Sequence, residues 1–355
     1  MKKLTFLLLI FCVTQVSIAQ NVTTPPASPK ASVSEWIGLT KITIDYSRPG
    51  VKERKVAGNL IPHNGGTPIP WRAGANENTT ITFENDVKIE GQKLVAGKYG
   101  FHVIAAESEW TLIFSKDNAA WGSYSYDAKN DALRVKIKPG SGAHQEWLRY
   151  QFVDQTPNSA KIELAWGKVR AGFLVEANVR EVTLTNIRKE LTGVDRFSWQ
   201  SWNSAAAYCL ANDINLEEGL EWANFSINGG FGSQASFTTL STKAMILDKL
   251  GKAEKSKKTM DKALTLATMT EMHFYGRQLI QQKKPKEALA IFEKNRKNNP
   301  EDNFTTYVGL ARGNQAVGKN KEAAKYFKMA AENAPVGQKD GYLDLAKQAE
   351  EKDRS

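Results

Sequence analysis

The sequence predicts two folds in tandem: an all-β half, an antiparallel β-sandwich or flattened barrel, followed by an all-α half, a solenoid of helix pairs. Three observations carry this reading. Between residues 31 and 178, apolar and polar residues alternate in short runs, the period of strands with one buried and one wetted face. From about Phe197 onward, Ala, Leu, Lys and Glu dominate and the apolar period becomes helical. Within that second half, small residues recur about every 35 positions, the mark of a repeated helical hairpin.

The chain begins MKKLTFLLLIFCVTQVSIA. Lys2 and Lys3 precede an apolar run from Leu4 to Val13, and Ser17 and Ala19 occupy the small-residue positions before Gln20. This pattern predicts a signal peptide over residues 1–19. No later stretch reaches the ~20 apolar residues of a spanning helix. An exported protein is therefore expected, periplasmic or extracellular, with no membrane span. Residues 20–30, QNVTTPPASPK, have the composition of a disordered tether.

The β domain is expected over residues 31–178. Ile42, Ile44 and Tyr46 alternate in KITIDY, Ile81 and Phe83 in TITF, Val87 and Ile89 in VKI, and Trp110, Leu112 and Phe114 in WTLIF. Val135 and Ile137 follow, then Leu148, Tyr150 and Phe152, then Ile162, Leu164 and Trp166. Gly91, Gly97, Pro139 and Gly140 punctuate the runs. About ten short strands at this spacing argue a sandwich.

Residues 179–196 read as a connector and 197–351 as helical repeats. Aligning LEEGLEWA, KAEKSKKT, KEALAIFE and KEAAKYFK brings Gly219, Ala253, Ala288 and Ala323 into register. One helix earlier stand Ala207, Ser241, Gly276 and Ala311, and Pro300 and Pro335 follow the last two units. Two closely packed helices need small residues where their axes approach, and proline ends the second helix. The pattern resembles the tetratricopeptide repeat. Asn228-Gly-Gly-Phe-Gly232 follows a predicted helix, so it reads as a loop rather than a phosphate cradle.

The formal net charge is +10, spread along both halves. Its densest run, KLGKAEKSKKTMDK, falls on a predicted helix beside Glu254 and Asp261, a solvated face rather than a nucleic-acid stripe. Removal of the leader takes Cys12 and leaves Cys209 alone, so no intrachain disulfide is expected. Cys209 lies in AAAYCLA with no His nearby in sequence, which predicts a buried structural thiol. His63, His102, His144 and His273 show no metal spacing. YDAKNDA lacks the Gly and Glu of a calcium loop and reads as a hairpin turn. No cofactor, metal or catalytic set is expected.

What remains is PWRAGANENTTITF, residues 70–83, with Tyr46-Ser-Arg-Pro-Gly50 and WGSYSYD. Trp71, Arg72, Asn76, Glu77 and Arg48 are the candidate ligand-binding residues, since Arg suits carboxylates and phosphates and aromatic faces suit sugars or peptides. The same stretch also reads as a structural lead into the strand. On that reading Trp71 is buried, Gly74 takes a bend or positive φ, and Arg72 bonds to carbonyls or pairs with Glu77 or Asp45.

The runs YSRPGVKERKVAGNLIP, PWRAGANENTTITF, GKYGFHVIA, EWTLIFS and WGSYSYD, in this order, resemble the secreted bacterial family called domain of unknown function 2911, over roughly residues 28–178. Glu53, Ala105 and the lengthened NGGTPIP depart from the family pattern. The resemblance implies the architecture and export and carries no catalytic residue. Two functional expectations follow. One is a non-enzymatic binding or scaffold protein, its repeats holding a peptide or protein partner and its β domain a second, small ligand. The other is a hydrolase-like enzyme in the β domain, with Glu77 or Asp45 as acid or base and Arg72 gripping an anionic group.

Overall fold

The computed structural model describes residues 24–62 and 67–354. The expected leader and the first residues of the tether lie outside these. The chain divides into two compact units between Thr185 and Asn186, and each is described by itself.

The first unit is a β-sandwich. Its strands are β1 (Lys30–Ile37), β2 (Thr40–Ser47), β3 (Pro70–Trp71), β4 (Thr80–Phe83), β5 (Val87–Ile89), β6 (Gln92–Leu94), β7 (Gly97–Ala105), β8 (Trp110–Ser115), β9 (Asp131–Ile137), β10 (Gly140–Val153) and β11 (Ser159–Ala177). One sheet runs β1-β2-β4-β7-β8-β9 with β3 paired to β7, and the other runs β10-β11-β5-β6. All these pairs are antiparallel. The alternation read from the sequence puts Ile42, Ile44, Ile81, Phe83, Phe101 and Phe114 of the first sheet against Leu148, Ile162, Leu164 and Phe173 of the second, in one core. Phe173 meets Phe101 at 5.7 Å and Phe114 at 5.8 Å between ring centroids. Each fully buried Phe or Ile contributes about 1.5–3 kcal/mol of transfer free energy.

The second unit is helical. Helix α1 (Val179–Glu190) spans the division, where the sequence suggested only a connector. Then follow α2 (Trp199–Asn212), α3 (Leu216–Asn228), α4 (Phe237–Lys249), α5 (Ala253–Leu266), α6 (Met269–Gln281), α7 (Pro285–Asn298), α8 (Thr305–Ala316), α9 (Asn320–Glu332) and α10 (Lys339–Arg354). Asn228 ends α3, and the rest of the NGGFG segment begins the loop between α3 and α4, as expected. Helices α2–α9 form four hairpins and α10 packs on α9. Cys209 is fully buried, and burial pushes its thiol up to about 11.

The small residues of the repeat do the packing, with one correction of register. Gly219, Ala288 and Ala323 are buried at the fourth position of α3, α7 and α9. Ala253 instead opens α5 and is exposed. The equivalent position there is Ser256, three residues later, whose Oγ donates to the Ala244 carbonyl at 2.7 Å. Gly276 faces the next helix as predicted: a Cβ there would lie 2.5 Å from the Phe292 ring. Ala311 is fully buried, whereas Ala207 is half-buried on the open side of α2.

The slipped register has a consequence. Because α5 starts late it also ends late, and only Ala267 and Thr268 separate it from α6, which Thr268 caps with Glu271. The α4–α5 hairpin and the α6–α7 hairpin approach one another less closely than the other successive hairpins.

Candidate functional site

The stretch Trp71–Asn78 is tied into the sandwich. Trp71 pairs with Val103, is 6% exposed and stacks on Trp166 at 6.0 Å. Its Nε1 donates to the Gly74 carbonyl at 3.2 Å. The Ala73 carbonyl accepts from Tyr150 Oη at 2.7 Å and from Thr79 Oγ1 at 3.2 Å. Gly74 lies in a bend, as expected, and the left-handed residues beside it are Ala73 (φ 51°) and Asn76 (φ 59°). Gly74 is needed for space, because a Cβ there would lie 2.7 Å from Thr79 Oγ1 and 3.2 Å from the Ser47 carbonyl.

Of the candidate residues, Arg72 and Asn76 meet through the Asn76 carbonyl, and the others have separate partners. Trp71 belongs to the core. Arg48 donates from Nε to the Leu148 carbonyl at 3.0 Å. Asn76 donates to the Ser28 carbonyl at 3.2 Å. Glu77 pairs with Lys30 at 2.8 Å, and that bond is the main reason its carboxyl is held below the usual carboxylate range. Arg72 pairs with neither Glu77 nor Asp45. Its Nη1 donates to the Asn76 carbonyl at 2.7 Å, and its guanidinium lies 5.9 Å from the Tyr124 ring centroid.

A cleft of about 590 Å³ opens on the face of the first sheet that points away from the core. Ser32, Asp45, Thr80 and Gly100 stand in register across β1, β2, β4 and β7, and the first three line the cleft. Gly100 is obligatory because a Cβ would overlap the Asp117 carbonyl and Asn78 Oδ1. The segment after β8 forms a wall: Asn118 donates to the Lys98 carbonyl at 2.9 Å, and the Ala120 carbonyl accepts from the Asn78 amide at 3.1 Å. Glu77, Lys30 and Lys98 add charged groups to the lining. The two carboxylates of the hydrolase reading, Asp45 and Glu77, thus share a cleft, but its lining cations are lysines and Arg72 is not among them. Alternation in β2 and β4 exposes a polar row to sequence reading. Lys30, Lys98 and Asn118 come from strands and a loop distant in sequence and carry no such signal.

The next part of the same segment, Trp121–Tyr126, is pinned to the sheet. Ser123 Oγ bonds His102 Nδ1 at 2.7 Å, and Tyr126 Oη donates to Asp131 at 2.8 Å. His102 is 2% exposed, and burial pulls it down to about 4, against the opposing pull of Asp131 and Asp117. Asp127 accepts from the Lys129 amide in a 3-10 turn, and Asp131 binds Arg134, so these acids serve the turn.

In the helical unit, a groove of about 1290 Å³ is lined by α2, by the α4–α5 hairpin and by the α6–α7 hairpin. Leu210 and Ala211 of α2, Met245 of α4, Met260 and Leu264 of α5, and Tyr275, Leu279 and Ile291 of α6–α7 give it an apolar lining. Its remaining lining includes both signs of charge: Asp248, Lys249, Lys257, Asp261, Lys284 and Glu287.

These features define a class: a β-sandwich carrying a polar cleft, followed by paired helices carrying an apolar groove. Residues 28–175 match the family described as "Protein of unknown function (DUF2911)", and the resemblance read from WRAGANE and its companions holds over the β unit. A crystal structure of a tetratricopeptide repeat protein from Parabacteroides merdae is similar over 50% of this chain and 68% of that one, at 17% identity and a TM-score of 0.32. No curated protein matches.

Proposed function

We propose that the chain is an exported, non-enzymatic binding or scaffold protein whose helical repeats hold a peptide segment and whose β unit holds a second, small ligand. The observation that carries the reading is the groove between the second and third hairpins. An apolar floor with mixed charges suits a peptide that presents apolar side chains on one face, since helical repeats offer extended concave surfaces. The N-terminal pattern of Lys2, Lys3, the apolar run and Ala19 supports export.

Panning residues 20–355 against a displayed peptide library tests the groove. Enriched peptides are expected to carry apolar residues at helical or alternating spacing. Ala211→Glu and Ala290→Glu, both exposed on the groove lining, are expected to weaken them at least tenfold by calorimetry. No enrichment, or peptides indifferent to both substitutions, would refute the groove as the site.

One observation favours the hydrolase reading as a second possibility for the cleft: Asp45 and Glu77 line it together. With its carboxyl held down by Lys30, Glu77 stays ionised and is unsuited to act as an acid, and the same ion pair makes it a weaker base than a free carboxylate. Hydrolysis of ester or glycoside substrates that is lost in Asp45→Asn and Glu77→Gln would establish that reading in place of simple binding.

A further inference from the structure

Two exposed aromatic side chains lie on the segment that continues the wall of the β-unit cleft, and an arginine adjoins one of them. Trp121 is 61% exposed and Tyr124 is 86% exposed. They sit on a segment anchored at Ala120, Ser123 and Tyr126 by hydrogen bonds to Asn78, His102 and Asp131. Large apolar faces held toward water on a pinned loop form a preorganised surface, which loses little conformational entropy on binding. Arg72 adjoins them. Its guanidinium lies by Tyr124, and a Cβ on Gly122 would come within 2.5 Å of its Nη1.

The guanidinium is fixed but not neutralised. Nη1 is held by the Asn76 carbonyl. Among the described residues, no carboxylate lies within ion-pair distance of Arg72, and Glu77, the nearest acid in sequence, is taken by Lys30. The Nε–Nη2 edge, the fork that grips a carboxylate with two parallel bonds, has no hydrogen-bond acceptor among the described residues. The polar cleft is continuous in sequence with this patch on two sides: its wall Asn118–Ala120 runs into Trp121, and Glu77 follows Asn76. The cleft lining of Ser32, Asp45, Thr80, Lys98 and Asn118 offers donors and acceptors in a shape of small-ligand size.

A pyranose ring has an apolar face that stacks on aromatic side chains and an equator of hydroxyls that needs alternating donors and acceptors. We propose that this face of the β unit binds an acidic saccharide, with sugar rings against Trp121 and Tyr124, a uronate carboxylate on Arg72, and neighbouring hydroxyls in the cleft. The inference rests on the reading of the β unit as a ligand-binding half, and it adds the ligand's chemical class. It gives Arg72 a role distinct from the core role of Trp71, although the two are adjacent in sequence.

The test is calorimetry on residues 20–355 with trimers of galacturonate, mannuronate and glucuronate. A neutral galactose trimer and a peptide with a free terminal carboxylate serve as comparisons. At least one acidic trimer is expected to bind, with the neutral trimer weaker by tenfold or more. Arg72→Gln and Trp121→Ala are each expected to weaken the acidic trimer at least tenfold. Trp121→Ala is expected to leave the melting temperature unchanged, which separates lost binding from lost folding. Three results would overturn the proposal: failure of all three acidic trimers, equal affinity for the neutral trimer, or binding that survives both substitutions. Binding of the peptide alone would also overturn it, while leaving the β unit as a ligand-binding half.

Discussion

Ala288→Leu tests the packing logic of the helical unit and its corrected register. Ala288 has no exposed surface and sits in a cluster with Leu279, Phe292 and Leu310. On three sides Phe292 is already met by glycines, since a Cβ on Gly276, Gly309 or Gly313 would fall 2.5–2.9 Å from its ring. No neighbour there can shrink to admit the larger side chain. Overpacking of this kind costs about 1–3 kcal/mol. For a unit of this size, each kcal/mol lowers the melting temperature by roughly 2–4 °C, so a drop of roughly 2–12 °C is expected. The assay is thermal unfolding of residues 20–355 followed by circular dichroism at the helix band. Ala253→Leu is the internal control: an evenly spaced repeat makes Ala253 equivalent to Ala288, yet it is exposed at the start of α5. Its substitution is expected to change stability by no more than about 0.5 kcal/mol. An unchanged melting temperature for Ala288→Leu would refute the packing argument, and equal losses in both variants would refute the slipped register.

Other consequences follow from the β unit. Trp71→Ala removes a buried ring stacked on Trp166 and should cost about 3–5 kcal/mol, read by chemical denaturation. Gly100→Ala drives a methyl group into the Asp117 carbonyl and Asn78, so the variant should melt well below the parent, and an unaltered melting curve would show that the segment after β8 yields freely. His102 titrates near 4 when folded, below its ordinary value near 6.5, so the unfolded chain takes up the proton first. Its stabilising contribution is full above about pH 6.5 and declines as pH falls toward 4, and His102→Phe should flatten that acid limb in a melting series. A fragment of residues 24–178 should give a β-type circular dichroism spectrum and one of 196–355 a helical spectrum. Helical signal from the first would sink the assignment of separate cores.

The sequence by itself determined the two architectures, because both rest on periods that local residues set. Alternation at Ile42, Ile44 and Tyr46 turns one face of β2 to the core, and Trp110, Leu112 and Phe114 do the same in β8, where Ile113 is buried on the other face as well. Small residues at Gly219, Gly276, Ala288, Ala311 and Ala323 mark where helix axes must approach. Identity alone left the second repeat unresolved, since Ala253 and Ser256 are both small and differ only in which one the turn of α5 points inward. Tertiary structure decided that register. It also decided the fate of WRAGANE. Whether Arg72 meets Glu77, Asp45 or a carbonyl depends on where Lys30 and Tyr124 arrive from remote parts of the chain. Gly74 proved necessary for the closeness of Thr79 and Ser47 and not for a positive φ. Such pairings are set by strand order and loop placement, and those are collective outcomes of burying one shared core.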